Sequence, residues 1–253
     1  GGGLKGIPSF AQPIAILNQA DSLDLQEQAE FIAGRLLPHY QRVVVSSLKE
    51  GIVHQVHERI AGILLAAGES RRLGQPKQLL DWQGEPFIRH VAKAALEAGL
   101  SPVIVVTGAS AAEVEFALYG MPVMIAYNAD WAAGQASSIK VGLEMVPEQN
   151  GGAVFLLSDQ PQVTPQVIRA LVSAHSHSMG AIIAPEVHGK RTNPVLFDRN
   201  TFDELSRLKG DVGGRSIFSK FPVQLMPWED VRLLMDIDTP EDYQRFLETE
   251  ILE

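Results

Sequence analysis

The sequence predicts an α/β fold: a mostly parallel sheet with helices on both faces, preceded by a short βαβ segment. Three observations predict it. Short apolar runs (ILL at 63–65, PVIVV at 102–106, AVFLL at 153–157) alternate with stretches of helical spacing. Several of these runs end in small or polar residues, and parallel sheets place ligands at the carboxyl ends of their strands. The chain has 253 residues and is 45% hydrophobic, enough for one large domain with a fragment before it.

Charge narrows the function classes. The net charge is −9, so a broad nucleic-acid or membrane surface is not expected, and any cationic site must be local. Without cysteine the chain can form neither disulfides nor thiolate metal sites, which fits a reducing cytoplasm. No signal peptide is read, and no apolar run is long enough to span a bilayer.

Residues 1–58 read as an accessory segment, and 59–253 as the main domain. In the segment, 13–17 is a strand, 23–37 a helix capped by Ser22 or Asp24, and 41–45 a second strand. The polar stretch 54–59 reads as helical. The main domain opens on ILLAAGESRRLGQPKQLL at 63–80. Its strand breaks into Ala66-Ala67-Gly68, then into a polar loop with Ser70, Arg71, Arg72, Gly74 and Lys77. Small residues let backbone N–H groups close around an anion, and three cations can meet a triphosphate's charge. This is not a Walker A loop, because no Gly-Lys-Ser/Thr opens a helix.

A helix follows from Pro86 to about 98, with Phe87, Val91, Ala94 and Ala95 on one face. The strand at 102–106 ends in Thr107-Gly108, a helix spans 111–118, and the strand at 123–126 leads to Asn128. A loop at 131–139 runs into a helix ending near 145. The strand at 153–157 runs into Ser158-Asp159, and an aspartate there is desolvated unless it binds something. The helix at 167–175 ends in His175-Ser176-His177, which reads as a solvated terminus, since no third metal ligand is near in sequence. A strand (181–184), a hairpin (186–191) and a helical stretch (198–208) precede the glycine-rich 210–215, GDVGGR. Beside a helix at 216–221, that stretch suits an anion or a plain turn. A short strand at 233–237 carries Asp236, and Asp238 follows it. Thr239 and Asp242 then box the start of the last helix.

Leu65 to Gly74, with Lys77 and Leu79-Leu80, resembles the signature loop LAAGxSxRMG…K of nucleotidyltransferases related to MobA and MocA, with Leu73 in place of Met. The resemblance runs from about 60 to 246. It implies a Rossmann-like three-layer α/β/α nucleotidyltransferase domain that attaches a nucleotide to the pyranopterin molybdenum cofactor. Residue by residue, it implies catalytic Arg71, Lys77 and Asp159, with Mg²⁺ held by Asp159 and Asp238. Leu65, Ala66, Ala67, Gly68, Ser70, Arg72, Thr107, Gly108, Asn128 and Ser138 would bind the nucleotide. Arg191, Asn193, Gly213, Gly214 and Arg215 would approach the acceptor.

A phosphate oxygen of the acceptor would attack the α-phosphorus, and pyrophosphate would leave with its charge met by Arg71, Arg72 and Lys77. Family members with LAAG tend to use CTP and those with LAGG use GTP, and Ala67 leaves less room beside the base. The implied partners are CTP, a molybdopterin-type acceptor and a molybdenum hydroxylase apo-enzyme. Alternatives are a GTP-using MobA-like enzyme, a nucleotide-sugar or CDP-alcohol pyrophosphorylase, and a non-catalytic cofactor carrier. The segment 1–58 also resembles the end of YqeC-like accessory proteins of selenium-dependent molybdenum hydroxylases. Asn18-Gln19-Ala20-Asp21 and Ser46-Ser47-Leu48 resemble guanine-reading motifs of G proteins. Gln19 replaces their lysine and no phosphate loop precedes, so a working GTP site is not expected there.

Overall fold

The computed structural model describes residues 14–18, 20, 22–47, 49–69 and 74–249. Gln19, Asp21 and Leu48 of the G-protein-like motifs, and Ser70 to Leu73 of the signature loop, lie outside them. The chain begins with β1 (Ile14–Leu17), α1 (Leu23–Leu36) and β2 (Arg42–Ser47), with β1 and β2 parallel. Ser22 caps α1 by accepting the Leu25 N–H at 3.4 Å.

β3 (Ile52–Ala66) is a single strand of 15 residues. Its first half pairs antiparallel with β2, from Ile52↔Ser47 to Glu58↔Arg42. Its second half is the centre of the parallel sheet. The helix expected at 54–59 is therefore strand. The ladder to β2 satisfies its backbone, while Glu58 pairs with Arg42 and Gln55 bonds Glu30 and His177. Side chains that look like a solvated helix are held as a polar layer between segment and main sheet. The boundary expected at 58/59 falls inside this strand.

After β3 come the small hairpin β4 (Asp81–Trp82) and β5 (Glu85–Pro86), then α2 (Phe87–Glu97), β6 (Val103–Thr107), α3 (Ala111–Ala117), β7 (Met124–Tyr127) and α4 (Gln135–Glu144). β8 (Asn150–Leu157) and α5 (Pro165–Ser178) follow, then β9 (Ile182–Val187), β10 (Lys190–Arg191) and β11 (Val195–Asp198). The chain continues with α6 (Phe202–Ser206), β12 (Val223–Pro227) and α7 (Pro240–Thr249). β7, β6, β3 and β8 are parallel neighbours in that order, and antiparallel β11 joins β8 to β9. β12 adds in parallel to β9.

Alternation along the strands builds the three layers. Leu64, Val105, Val154 and Leu156 point to one face and pack under α2, α3 and α5. Ile63, Ile104, Val106 and Phe155 point to the other and pack under α4 and α6. A smaller cluster of Leu80, Phe87, Ile237 and Phe246 fastens α7 to the β4–β5 hairpin.

Three further expectations change. The strand expected at 233–237 is instead a 3-10 turn, Val231–Leu234, started by Asp230 accepting the Arg232 N–H at 3.0 Å. The helix expected at 216–221 is one 3-10 turn, Gly214–Ile217. His175 is not solvated: it is buried against Asp198. Only His177 reaches the surface there.

Candidate active site

The carboxyl ends of β3, β6, β7 and β8 converge at one edge of the sheet. They bring Ala66-Ala67-Gly68, Thr107-Gly108, Asn128 and Ser158-Asp159 together. Ser158 Oγ donates to Leu65 O at 2.8 Å and ties the ends of β8 and β3. Gln78, buried, donates to Ala66 O at 3.4 Å and steadies the turn after β3. Gly108 has no alternative: a Cβ there would lie 2.7 Å from the Trp131 Cβ and 2.8 Å from the Ala67 Cβ.

A cavity of about 610 Å³ opens over these ends, lined by Leu65, Ala67, Gly68, Lys77, Ser138 and Asp159, and by 131–135. A second cavity of about 520 Å³ is lined by Asn193, Gly213, Gly214, Arg215, Phe218 and Asp236. The two share Leu65, Gln135, Leu157 and Asp211 as a common wall. That wall is a backbone clasp. Gly134 has φ 108°, and a Cβ on it would sit 2.4 Å from Gly210 C. The Ala136 N–H then donates to Gly210 O at 3.2 Å, and the Gln135 N–H to Asp211 Oδ1 at 3.4 Å. The glycine-rich loop is thereby held against the first turn of α4.

Carboxylates and one lysine dominate the floor. Lys77 Nζ pairs with Asp238 and lies 3.7 Å from Asp159 Oδ2. Desolvation pushes the Asp159 carboxyl above the ordinary carboxylate range, Lys77 opposes this, and the nearby charges of Asp236 and Asp238 add to it. Desolvation thus disfavours ionised Asp159 even with Lys77 beside it. Oxygen-only donors of this kind suit a hard divalent cation such as Mg²⁺ or Mn²⁺. The residues present fit such an ion.

The structure does not place every expected residue at the cavities. Thr107 and Asn128 are buried and line neither. Asn128 Nδ2 donates to Ser137 Oγ at 2.8 Å and Ser138 Oγ at 3.0 Å, so it organises the loop into α4. Ala66 is buried beneath the turn, and exposed Arg191 stacks its guanidinium 5.1 Å from the Phe218 ring centroid beside the second cavity. Gln78, Trp131, Gln135 and Asp211 were not singled out in the sequence, which drew attention to Asp236 but favoured its neighbour Asp238. Asp211 lies within GDVGGR, a signal that was available. The others become visible only when the loops meet.

A profile of the MobA-like NTP transferase domain matches residues 62–225. The chain is 32% identical to "Purine catabolism protein PucB" of Bacillus subtilis over 73% of its length and 94% of that protein. It is 31% identical to "Nicotine blue oxidoreductase" of Paenarthrobacter nicotinovorans over 74% and 96%. A "Probable molybdenum cofactor guanylyltransferase" of Bacillus mycoides is 26% identical over 73% and 94%. Among solved structures, Rv0371c of Mycobacterium tuberculosis in complex with manganese superposes with a TM-score of 0.66. It is 30% identical, over 76% of this chain and 99% of that one.

Proposed function

Because the chain belongs to the MobA-like NTP transferase family and is a nucleotidyltransferase, we propose that it transfers CMP from CTP to a molybdopterin-type acceptor and releases pyrophosphate. The observation that carries this reading is the pair of cavities meeting at one wall, with Asp159 and Lys77 on the floor of the first. In-line displacement at phosphorus needs donor and acceptor on opposite sides of the reacting atom. The nucleotide takes the cavity over Ala67 and Gly68, and the acceptor takes the one lined by Asn193, Gly213, Gly214 and Arg215. The MobA-like family and the guanylyltransferase relative support a molybdenum-cofactor acceptor.

Asp159 and Asp238, with Asp236 close by, would hold the divalent ion, which supplies charge neutralisation at the phosphates when bound. Mg²⁺ is the ion proposed, and the manganese complex of the Mycobacterium tuberculosis relative supports a divalent site in this family. Lys77 then turns from the carboxylates toward the phosphate oxygens, joined by Arg71 and Arg72. A phosphate monoester is already largely ionised at neutral pH, so no strong base is required. The preference for CTP rests on Ala67, whose methyl faces Gly108 and narrows the wall beside the base.

Calorimetry of CTP, GTP, ATP and UTP with Mg²⁺, followed by pyrophosphate release with molybdenum cofactor, tests the proposal. CTP-selective binding and acceptor-dependent pyrophosphate are expected. GTP selectivity would overturn the assignment of the base, and binding without pyrophosphate release would point to a carrier.

A further inference from the structure

Buried side chains that nucleotidyl transfer does not use converge where the N-terminal segment meets the main sheet. Glu58 comes from β3, His175 from α5 and Asp198 from the end of β11. One ligand-type atom from each lies within 4.8 Å of the other two. His175 is 1% exposed, and its Nε2 lies 2.8 Å from Asp198 Oδ2. Asp198 Oδ1 is engaged elsewhere, accepting the Asn200 N–H at 2.9 Å.

The Glu58 side chain is 3% exposed. Its Oε1 accepts from Arg42 Nε at 2.8 Å, while Oε2 is buried with no partner among the described residues. Only glycine at 151 permits this seat, because a Cβ there would fall 2.0 Å from Glu58 Oε2. The neighbouring Arg199 does not fill the gap, since its guanidinium donates to the carbonyls of Asn150 and Pro147. A buried carboxylate oxygen without a partner carries a desolvation cost that a cation relieves. A cavity of about 280 Å³, bordered by Glu58, Gln55, His175 and Ser176, reaches this point.

We propose that Glu58, His175 and Asp198 bind one divalent transition-metal ion of the Zn²⁺ type, at a site separate from the active-site carboxylates. One imidazole and two carboxylates suit Zn²⁺ and leave a position for water. Ligands at about 2.0–2.2 Å from a shared tetrahedral ion stand roughly 3.4 Å apart, so the His175–Asp198 contact opens by about half an ångström on binding. Glu58 lies ahead of residues 62–225 that match the family. The ion therefore ties the first half of β3, which pairs with β2, to α5 and the end of β11.

The test is equilibrium dialysis of the full chain against Zn²⁺, with metal analysis. Asp159→Asn and Asp238→Asn are introduced first to remove the two proposed active-site metal ligands. This double variant is expected to bind one equivalent of zinc. Adding Glu58→Gln keeps an acceptor for Arg42 and should weaken zinc binding at least tenfold. Adding Asp198→Asn keeps the cap on Asn200 and should do the same, which guards against one of the two failing to fold. Absence of bound zinc in the double variant overturns the site, as does full retention of zinc in a folded Glu58→Gln or Asp198→Asn protein.

Discussion

Asp159 is the residue whose environment says most about the chemistry. Its carboxyl titrates above the usual range because burial disfavours its charge. Above that raised value, the ionised group costs the folded state stability. As the pH falls through it, the folded protein takes up a proton earlier than the unfolded chain and the cost is relieved. Asp159→Asn should therefore leave Tm unchanged or higher in metal-free buffer, abolish turnover, and erase most of any Tm rise caused by Mn²⁺ in the wild type. Thermal melts with and without the ion check all but the turnover. By the same sign, the acidic limb of kcat/KM should lie above an ordinary aspartate's pKa and move down at saturating metal, as a pH profile would read. Ala67→Gly tests the neighbouring wall: the CTP-to-GTP ratio of kcat/KM should fall by tenfold or more. Asp159 and Lys77 were legible in the sequence because a strand end and a loop motif announce them. Gln135 was not, because its place in the shared wall arises only when distant loops close on one another.

At the scale of elements, β11 and β12 were not read as strands, whereas the parallel core strands β6, β7 and β8 and the long helices could be read to within a few residues. Their apolar alternation reflects burial on both faces of the sheet. The misread stretches share one cause. The stretches at 54–59, 216–221 and 233–237 carry polar or mixed side chains whose conformation is set by partners far along the chain. Arg42 and β2 decide the first of these, and the Asp230 turn decides the third. α7 obeys local rules: Asp242 accepts the Thr239 N–H at 2.9 Å, and Thr239 Oγ1 accepts the Asp242 N–H at 3.2 Å. Thr239→Ala should cost about 1 kcal/mol. Phe246→Ala should cost about 3–5 kcal/mol, because Phe246 is fully buried against Trp82 and Phe87. Urea denaturation would measure both. The Phe246 variant should also loosen Asp238, which sits just ahead of α7, and so lower activity more than the cap variant does.

Across the whole molecule, the proposed function divides nucleotide and acceptor between two cavities that share one wall. Arg215→Ala should raise KM for the acceptor and leave calorimetric CTP affinity within about twofold, since Arg215 lines only the second cavity. Gly134→Ala should impair both, because it would push the clasp at Gly210 away from α4. The sequence outlined both cavities through their glycine-rich stretches. It did not reveal that one strand belongs to the N-terminal segment and to the catalytic sheet alike.

That strand, β3, also bears on how the chain is made. A ribosome delivers β1, α1 and β2 before β3, and delivers β6 and β8 only afterwards. The antiparallel pairing of β2 with β3 closes over a short loop and can form as soon as residue 58 has emerged. The parallel partners need crossovers of dozens of residues. Nascent chains halted just past β3 should therefore already carry that hairpin. Deleting β1 to β2 should slow refolding of the remainder more than it lowers its final activity, because the central strand would lose its one local antiparallel partner and could pair only across long crossovers.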